Sequence, residues 1–193
     1  MKLHRLFAPS LLLIALALAA CSPQESPKNA SVTKREVATE TVSAQARGFT
    51  VGAMMSANTV YVFFDTQCPH CGHLWEASAS LHRKVKFVWI PVGMINATSR
   101  AQGAALLSAA DPLALMNEHE TSLLTGKGGI SASSSIAPEI EQAIRKNTEL
   151  LNSFGAEAVP FIVAKNQKTG QTVSRDGAMT AAALTEFLGL EQP

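Results

Sequence analysis

The sequence predicts an α/β domain carrying a helical insertion, and three observations support that reading. A β-branched and aromatic run, Thr59 to Asp65 (TVYVFFD), is followed by a helix-length stretch and then a second apolar run, Lys86 to Val92 (KFVWIPV). A strand, helix and strand in so short a unit imply a parallel crossover. The middle of the chain then reads as helices around a Gly- and Ser-rich loop. The last third returns to two short strands before a closing helix.

Taken in order, the chain opens MKLHRLFAPSLLLIALALAAC, with Lys2, His4 and Arg5 ahead of an apolar core from Leu11 to Ala20. This is an export signal, too short for the roughly 20 apolar residues of a membrane span. Leu18, Ala19, Ala20 and Cys21 resemble the lipobox of bacterial lipoproteins, which implies a diacylglyceryl lipid on Cys21. Ser22 after it resembles the outer-membrane sorting pattern. Ser22 to Arg47 is rich in Ser, Thr, Pro and charge without an apolar period, and reads as a tether reaching on the order of 28 Å. A competing reading of Lys34 to Gln45 is an amphipathic helix on a thin stripe of Val37, Thr41 and Ala44. The expected division is therefore 1–20 signal peptide, 21–47 lipidated cysteine and tether, and 48–193 folded domain, with the insertion at about 98–154.

Within the domain, Pro69 fits the first position of a helix, and Leu74, Trp75, Ala77, Ala79 and Leu81 carry that helix to about Arg83. Pro91 places the end of the second strand. Helices follow at Arg100 to Ala110 and Pro112 to His119, then a loop from Thr125 to Ser135 and a helix from Pro138 to Phe154. Strands PFIVAK and QTVSRD flank a turn at Asn166 to Gly170, and a helix from Met179 to Leu188 closes the chain.

The 193 residues are 47% hydrophobic with a formal charge of +1, which fits one soluble domain and argues against disorder or a nucleic-acid partner. Three cysteines are too few for a disulfide framework. Cys68 and Cys71 stand three apart at the start of a helix, in VYVFFDTQCPHCGHLW. Haem attachment requires C-x-x-C-H, and Gly72 follows Cys71. Zinc requires about four ligands, and beyond His70 and His73 there is no second cysteine pair. A structural staple closing so short a loop adds little stability. Redox exchange is the reading that uses the motif best.

In a helical first turn, positions i and i+3 share a face, close enough for a disulfide. Cys68 should be exposed and Cys71 covered. Unpaired N–H groups and the helix dipole favour a thiolate at Cys68, with a pKa in the roughly 3.5–7.5 range of such motifs. Cys68 is then the attacking sulfur, and Cys71 resolves the mixed disulfide. Pro69 stiffens the turn, and His70 adds a donor or positive charge that stabilises the reduced form.

The element order with CxxC at the first helix matches a thioredoxin fold with an inserted helical subdomain. The blocks VYVFFDTQCPHCGHLW, VKFVWIPVGMINATS, AADPLALMNEHE and LLNSFGAEAVPFIV resemble the catalytic domain of the periplasmic disulfide isomerases of the DsbC and DsbG type, closer to DsbG. The resemblance implies a thiol:disulfide oxidoreductase, a cis Val159–Pro160 bond beside the cysteines, and substrate binding by Val159 and Pro160. It implies cysteine-containing envelope proteins as clients, a membrane redox partner of the DsbD or DsbB type, and no cofactor beyond the Cys68–Cys71 disulfide and the lipid on Cys21. Three departures qualify it. CPHC and Val159 are traits of the disulfide-donating DsbA type, so an oxidase is the alternative. Only the tether precedes the domain, so a monomer without the isomerases' dimerisation domain is expected. Val62 stands where thioredoxins bury an acid, so a proton shuttle must come from elsewhere or from water. An alternative of another class is a lipid-tethered chaperone or metal-handling binding protein.

Other residues have plainer expected roles. Met54 and Met55 are read as core gap-fillers, Trp75 as packing the helix onto the sheet, and Asp65 as a turn residue. His73 is read as a helix-surface residue near the site, and His82 and His119 as solvated.

Overall fold

The protein is described by a computed structural model covering residues 35–191. The signal peptide, Cys21 and the first part of the tether lie outside the described residues.

A five-stranded sheet forms the centre, with strands β1 (Phe49–Gly52), β2 (Thr59–Asp65), β3 (Lys86–Val92), β4 (Phe161–Lys165) and β5 (Thr172–Asp176). Their spatial order is β1-β3-β2-β4-β5. β2 and β3 run parallel, with Val60 opposite Phe87, and the other pairs are antiparallel. Helix α2 (Pro69–Ser78) makes the crossover between them and ends in a 3-10 turn, Ala79–Leu81. The insertion between β3 and β4 comprises α3 (Ala97–Ser108), α4 (Pro112–Leu124) and α5 (Pro138–Ser153), and α6 (Ala181–Phe187) follows β5.

The inserted helices start where local chemistry dictates. The Asn96 side chain accepts from the N–H groups of Thr98 (2.8 Å) and Ser99 (3.3 Å), while Ser99 Oγ accepts from the Asn96 N–H, a reciprocal cap. Asp111 caps α4 through the Ala114 N–H at 3.0 Å, and prolines open both α4 and α5.

Alternation along the strands splits the core into two layers. Val60, Val62, Phe64, Phe87 and Trp89 face α2, α4 and α6, meeting Leu74, Trp75, Met116 and Leu184. Phe63, Ile90, Phe161 and Val163 face the other way, onto Leu150 and Leu151 of α5 and Phe154 just after it.

Two elements differ from the sequence expectation. The stretch read as tether carries a helix, α1 (Thr39–Gln45), whose Val42 is fully buried in the layer with α5. Its buried stripe is Thr39 and Val42, so the spacing that made the amphipathic reading look thin was centred on the wrong residues. Asn147 of α5 ties the following chain down, exchanging hydrogen bonds with the Arg47 backbone at 2.9 and 2.8 Å. β1 was not legible as a strand because FTVG is short and half-exposed. Met54 and Met55 are exposed rather than gap-filling, because they fall on the turn between β1 and β2.

Candidate active site

The site is built where β2 ends. Asp65 is fully buried, and its carboxylate accepts from the Gln67 N–H (2.9 Å) on one oxygen and from the N–H groups of Met94 (2.7 Å) and Ile95 (3.0 Å) on the other. It therefore acts as a turn residue that ties the loop after β2 to the loop after β3. Cys68 is the N-cap residue of α2 and Pro69 the first helical residue; the Cys68 carbonyl accepts from the Cys71 N–H at 2.9 Å.

Both thiols are free. Cys71 is fully buried, as expected, but Cys68 is also only 5% exposed. Its cover comes from a segment distant in sequence: Cys68 Sγ donates to the Val159 carbonyl at 3.4 Å. The Val159–Pro160 bond is cis. The sheet register of β4 begins at Phe161, so Val159 lies just outside the ladder, beside the sulfur.

The two sulfurs are driven apart electrostatically. Cys68 is lowered to about 6, chiefly by the Cys71 thiol hydrogen-bonding to it, with the backbone N–H groups of Cys71 and His70 and the charge of His70 adding to this against the opposing effect of burial. Cys71 is raised well above its ordinary value by burial first, then by the Cys68 interaction, with the Glu120 charge contributing. His70 itself is exposed, as is His73, whose ring lies 3.9 Å from Glu76.

The insertion encloses this pair, and here the sequence reading missed most. His119 was expected in solvent and is fully buried. Its Nε2–H donates to the Thr66 carbonyl at 2.8 Å and its Nδ1 accepts from the Ile130 N–H at 3.2 Å, an arrangement that fits the neutral ring favoured by burial. Gln102 Nε2 donates to the carbonyls of Gly128 and Ile130, both at 2.8 Å, and its Oε1 accepts from Gln67 at 2.7 Å. Trp75 packs against Trp89 at 5.0 Å between centroids, and its indole N–H donates to Asn117 Oδ1 at 2.8 Å. His82 is half-buried between Trp75 and Phe87 rather than solvated. Glu120 is 2% exposed, and neither of its oxygens has a partner. A signal existed: Met116 and Glu120 stand four apart, so a helix that buries one buries the other.

No cluster of three or more His, Cys, Asp or Glu able to hold a metal occurs among the described residues. Surface grooves of 410 and 470 Å³ lie along α1, and neither is lined by a cysteine.

An activated cysteine at the N-terminus of a helix, a buried partner one turn in, and a cis-proline segment against the sulfur together make this a dithiol protein of the thioredoxin fold. No family model matches the chain. It is 33% identical over 144 residues to the thiol:disulfide interchange protein DsbG of Pseudomonas aeruginosa, covering 72% of this chain and 54% of that one. To DsbG of Escherichia coli it is 30% identical over 105 residues, covering 53% and 42%. The chain thus spans about half the length of the curated relatives it matches. Among solved structures, the catalytic domain of Proteus mirabilis ScsC superposes with a TM-score of 0.62 at 17% identity, covering 78% of this chain and 96% of that one. The thiol-disulfide exchange protein α-DsbA2 of Wolbachia pipientis gives 0.58 at 18%, covering 78% and 91%. The matched domain is similar to thiol:disulfide interchange proteins of the DsbG type.

Proposed function

We propose that this protein is a thiol:disulfide oxidoreductase that exchanges disulfides with other proteins through Cys68 and Cys71. The observation that carries the reading is the split between the two sulfurs, with Cys68 at about 6 and Cys71 raised. At neutral pH the Cys68 thiolate attacks a client disulfide, forming a Cys68–client bond and releasing the second client sulfur as a thiolate. Cys71, once deprotonated, attacks Cys68; the mixed disulfide breaks, the client sulfur that was bonded to Cys68 leaves as a thiolate, and the protein's pair has lost the two electrons that the client has gained. Running in reverse, the same steps donate a disulfide. A thiolate as stable as that of Cys68 favours the reduced form, and hence the donating direction.

Client recognition follows from the surroundings. Val159, beside the sulfur and outside the sheet ladder, offers its backbone to an extended client segment, and Pro160 fixes its presentation. Met94 (44% exposed) and Ile95 (50%) stand on the loop that Asp65 binds, next to Gln67, and supply apolar contact for a partly unfolded chain. The LAAC sequence supports lipidation at Cys21 and a periplasm-facing placement, on the outer membrane by the Ser22 pattern. One structural neighbour is a periplasmic thioredoxin-like protein of Salmonella enterica serovar Typhimurium. Cysteine-containing envelope proteins are the proposed clients, and a membrane protein of the DsbD or DsbB type would reset the pair.

The test is insulin reduction, and equilibration of the pair with glutathione, in wild type and Cys68→Ala. Activity in the wild type and none in the variant is expected. Equal activity in both would overturn the proposal.

A further inference from the structure

Glu120 is a buried acid that the exchange chemistry described above does not use. Its side chain is 2% exposed with both carboxylate oxygens unpartnered. A buried carboxyl without hydrogen bonds is costly, and natural cores seldom keep one without a use. Its position is fixed by two neighbours on α4: three residues earlier Asn117 holds the Trp75 indole at 2.8 Å, and one residue earlier His119 holds the Thr66 carbonyl at 2.8 Å. These two bonds join α4 to α2 and to the loop before Cys68, and they leave Glu120 facing α2 at Gly72, the residue after Cys71. A Cβ added at Gly72 would collide with Glu120 Oε2 and come within 3.2 Å of Leu124. Glycine at 72 is what admits the carboxyl.

Among the described residues no other buried acid is free to serve the buried sulfur. Val62 occupies the strand position where an acid would sit, and the oxygens of Asp65 already accept three backbone N–H groups. The titratable groups that α2 presents toward this region are Cys71, Cys68 at its N-cap and Glu76; its histidines, His70 and His73, are exposed. Of the other elements against α4, α3 has one titratable residue, Arg100, which lies 3.9 Å from Glu141, and β1 has none.

We propose that Glu120 is the proton-exchange partner of Cys71, supplied by the inserted helix α4 to the buried half of the redox pair. The assignment rests on the dithiol reading and adds to it the fate of the second proton. When the mixed disulfide resolves, the Glu120 carboxylate takes the proton from Cys71 Sγ through one intervening water, since no direct hydrogen bond joins the two groups, and the Cys71 thiolate bonds to Cys68 Sγ. The Cys68–client bond breaks with its electron pair on the client sulfur, and the carboxyl proton passes to that thiolate or to solvent. In the donating direction a client thiolate attacks Cys68 of the disulfide, and protonated Glu120 gives its proton to the departing Cys71 sulfur, which burial would otherwise leave as an unsolvated anion. The raised value of Glu120, about 8, caused mainly by burial and then by the charges of Cys68 and Glu76, suits exchange with a thiol in both directions near neutral pH.

The test forms the Cys68–glutathione mixed disulfide with oxidised glutathione and follows its closure to the Cys68–Cys71 disulfide from pH 5 to 9, in wild type and Glu120→Gln. Removing the proton acceptor should slow closure about 10²-fold near pH 7, with a steeper rise toward high pH as hydroxide takes over. Closure at the wild-type rate with the wild-type pH profile would overturn the proposal. A second measurement does not depend on the variant folding: carboxyl carbon-13 titration of the reduced and oxidised wild type. A carboxyl titrating well above the ordinary range, and shifting when Cys71 enters the disulfide, is expected; a titration indifferent to the state of the cysteines would overturn the assignment. Failure of Cys68 to form any mixed disulfide would sink the exchange reading instead, leaving the coupling of Glu120 to Cys71 to be decided by the carbon-13 titration.

Discussion

The two faces of the central sheet are both closed to solvent, yet they treat polar groups in opposite ways. On the α5 face, Phe63, Phe154 and Phe161 meet at centroid distances of 6.2 to 6.3 Å, and the buried Asn147 has its side chain committed to the backbone at Arg47 and Pro91. On the α2 face, Phe64, Trp75 and Trp89 pack as closely, but the Trp89 indole N–H and both Glu120 oxygens are left without partners. One face is packed for stability alone. The other gives up stability at Glu120, the carboxyl proposed to serve the cysteines, the pattern expected where chemistry competes with packing.

That contrast can be broken most severely at the sulfur. Cys68→Ser should lower insulin reduction on the order of 10³-fold or more while leaving the thermal unfolding curve close to wild type, because the replacement keeps the shape and removes the nucleophile. On the opposite face, Phe154→Ala should cost about 3–5 kcal/mol of folding stability in a urea titration. In the fraction that stays folded, the alkylation rate of Cys68 should still inflect near pH 6. If that inflection moved, the two faces would not be independent.

Glu120 gives the sharper test, because its effect on stability has a defined sign. The carboxyl titrates at about 8 in the fold against an ordinary 4.5, so between those values the unfolded chain ionises first and the fold is penalised as pH rises. Glu120→Gln should therefore be more stable than wild type by about 3 kcal/mol at pH 7, with the difference vanishing below about pH 4.5. A variant gaining stability while losing resolution rate would show the two demands opposed at one residue. Asn117→Ala, which frees the Trp75 indole, should cost about 1 kcal/mol by denaturant titration. At the surface, Glu40→Gln removes the exposed pair with Lys165, and the melting temperature should stay where it is.

How much of this was legible in sequence follows the same divide. The strands, α2 and the three inserted helices could be read because TVYVFFD, KFVWIPV and the prolines at 69, 112 and 138 are strong local signals. Cys68 and Cys71 could be read because their spacing has a local meaning. What escaped was set by docking: α1, whose stripe is buried against α5 and β4, and the burial of His119 and Glu120, which depends on where α4 lands. Cys68 looked exposed in sequence because no local pattern shows that Val159, which the resemblance places beside the cysteines, covers the sulfur.

Gly72 and Glu120 also constrain how the chain can change. The two positions compete for one volume, so a side chain at 72 and a carboxyl at 120 exclude each other. A lineage leaving this arrangement must shorten residue 120 before it enlarges residue 72, and passes through an intermediate with a cavity beside the buried cysteine. Among descendants the pair should therefore vary together, glycine with glutamate or a larger residue with a small one, and that covariation would trace which lines kept the acid of the inserted helix.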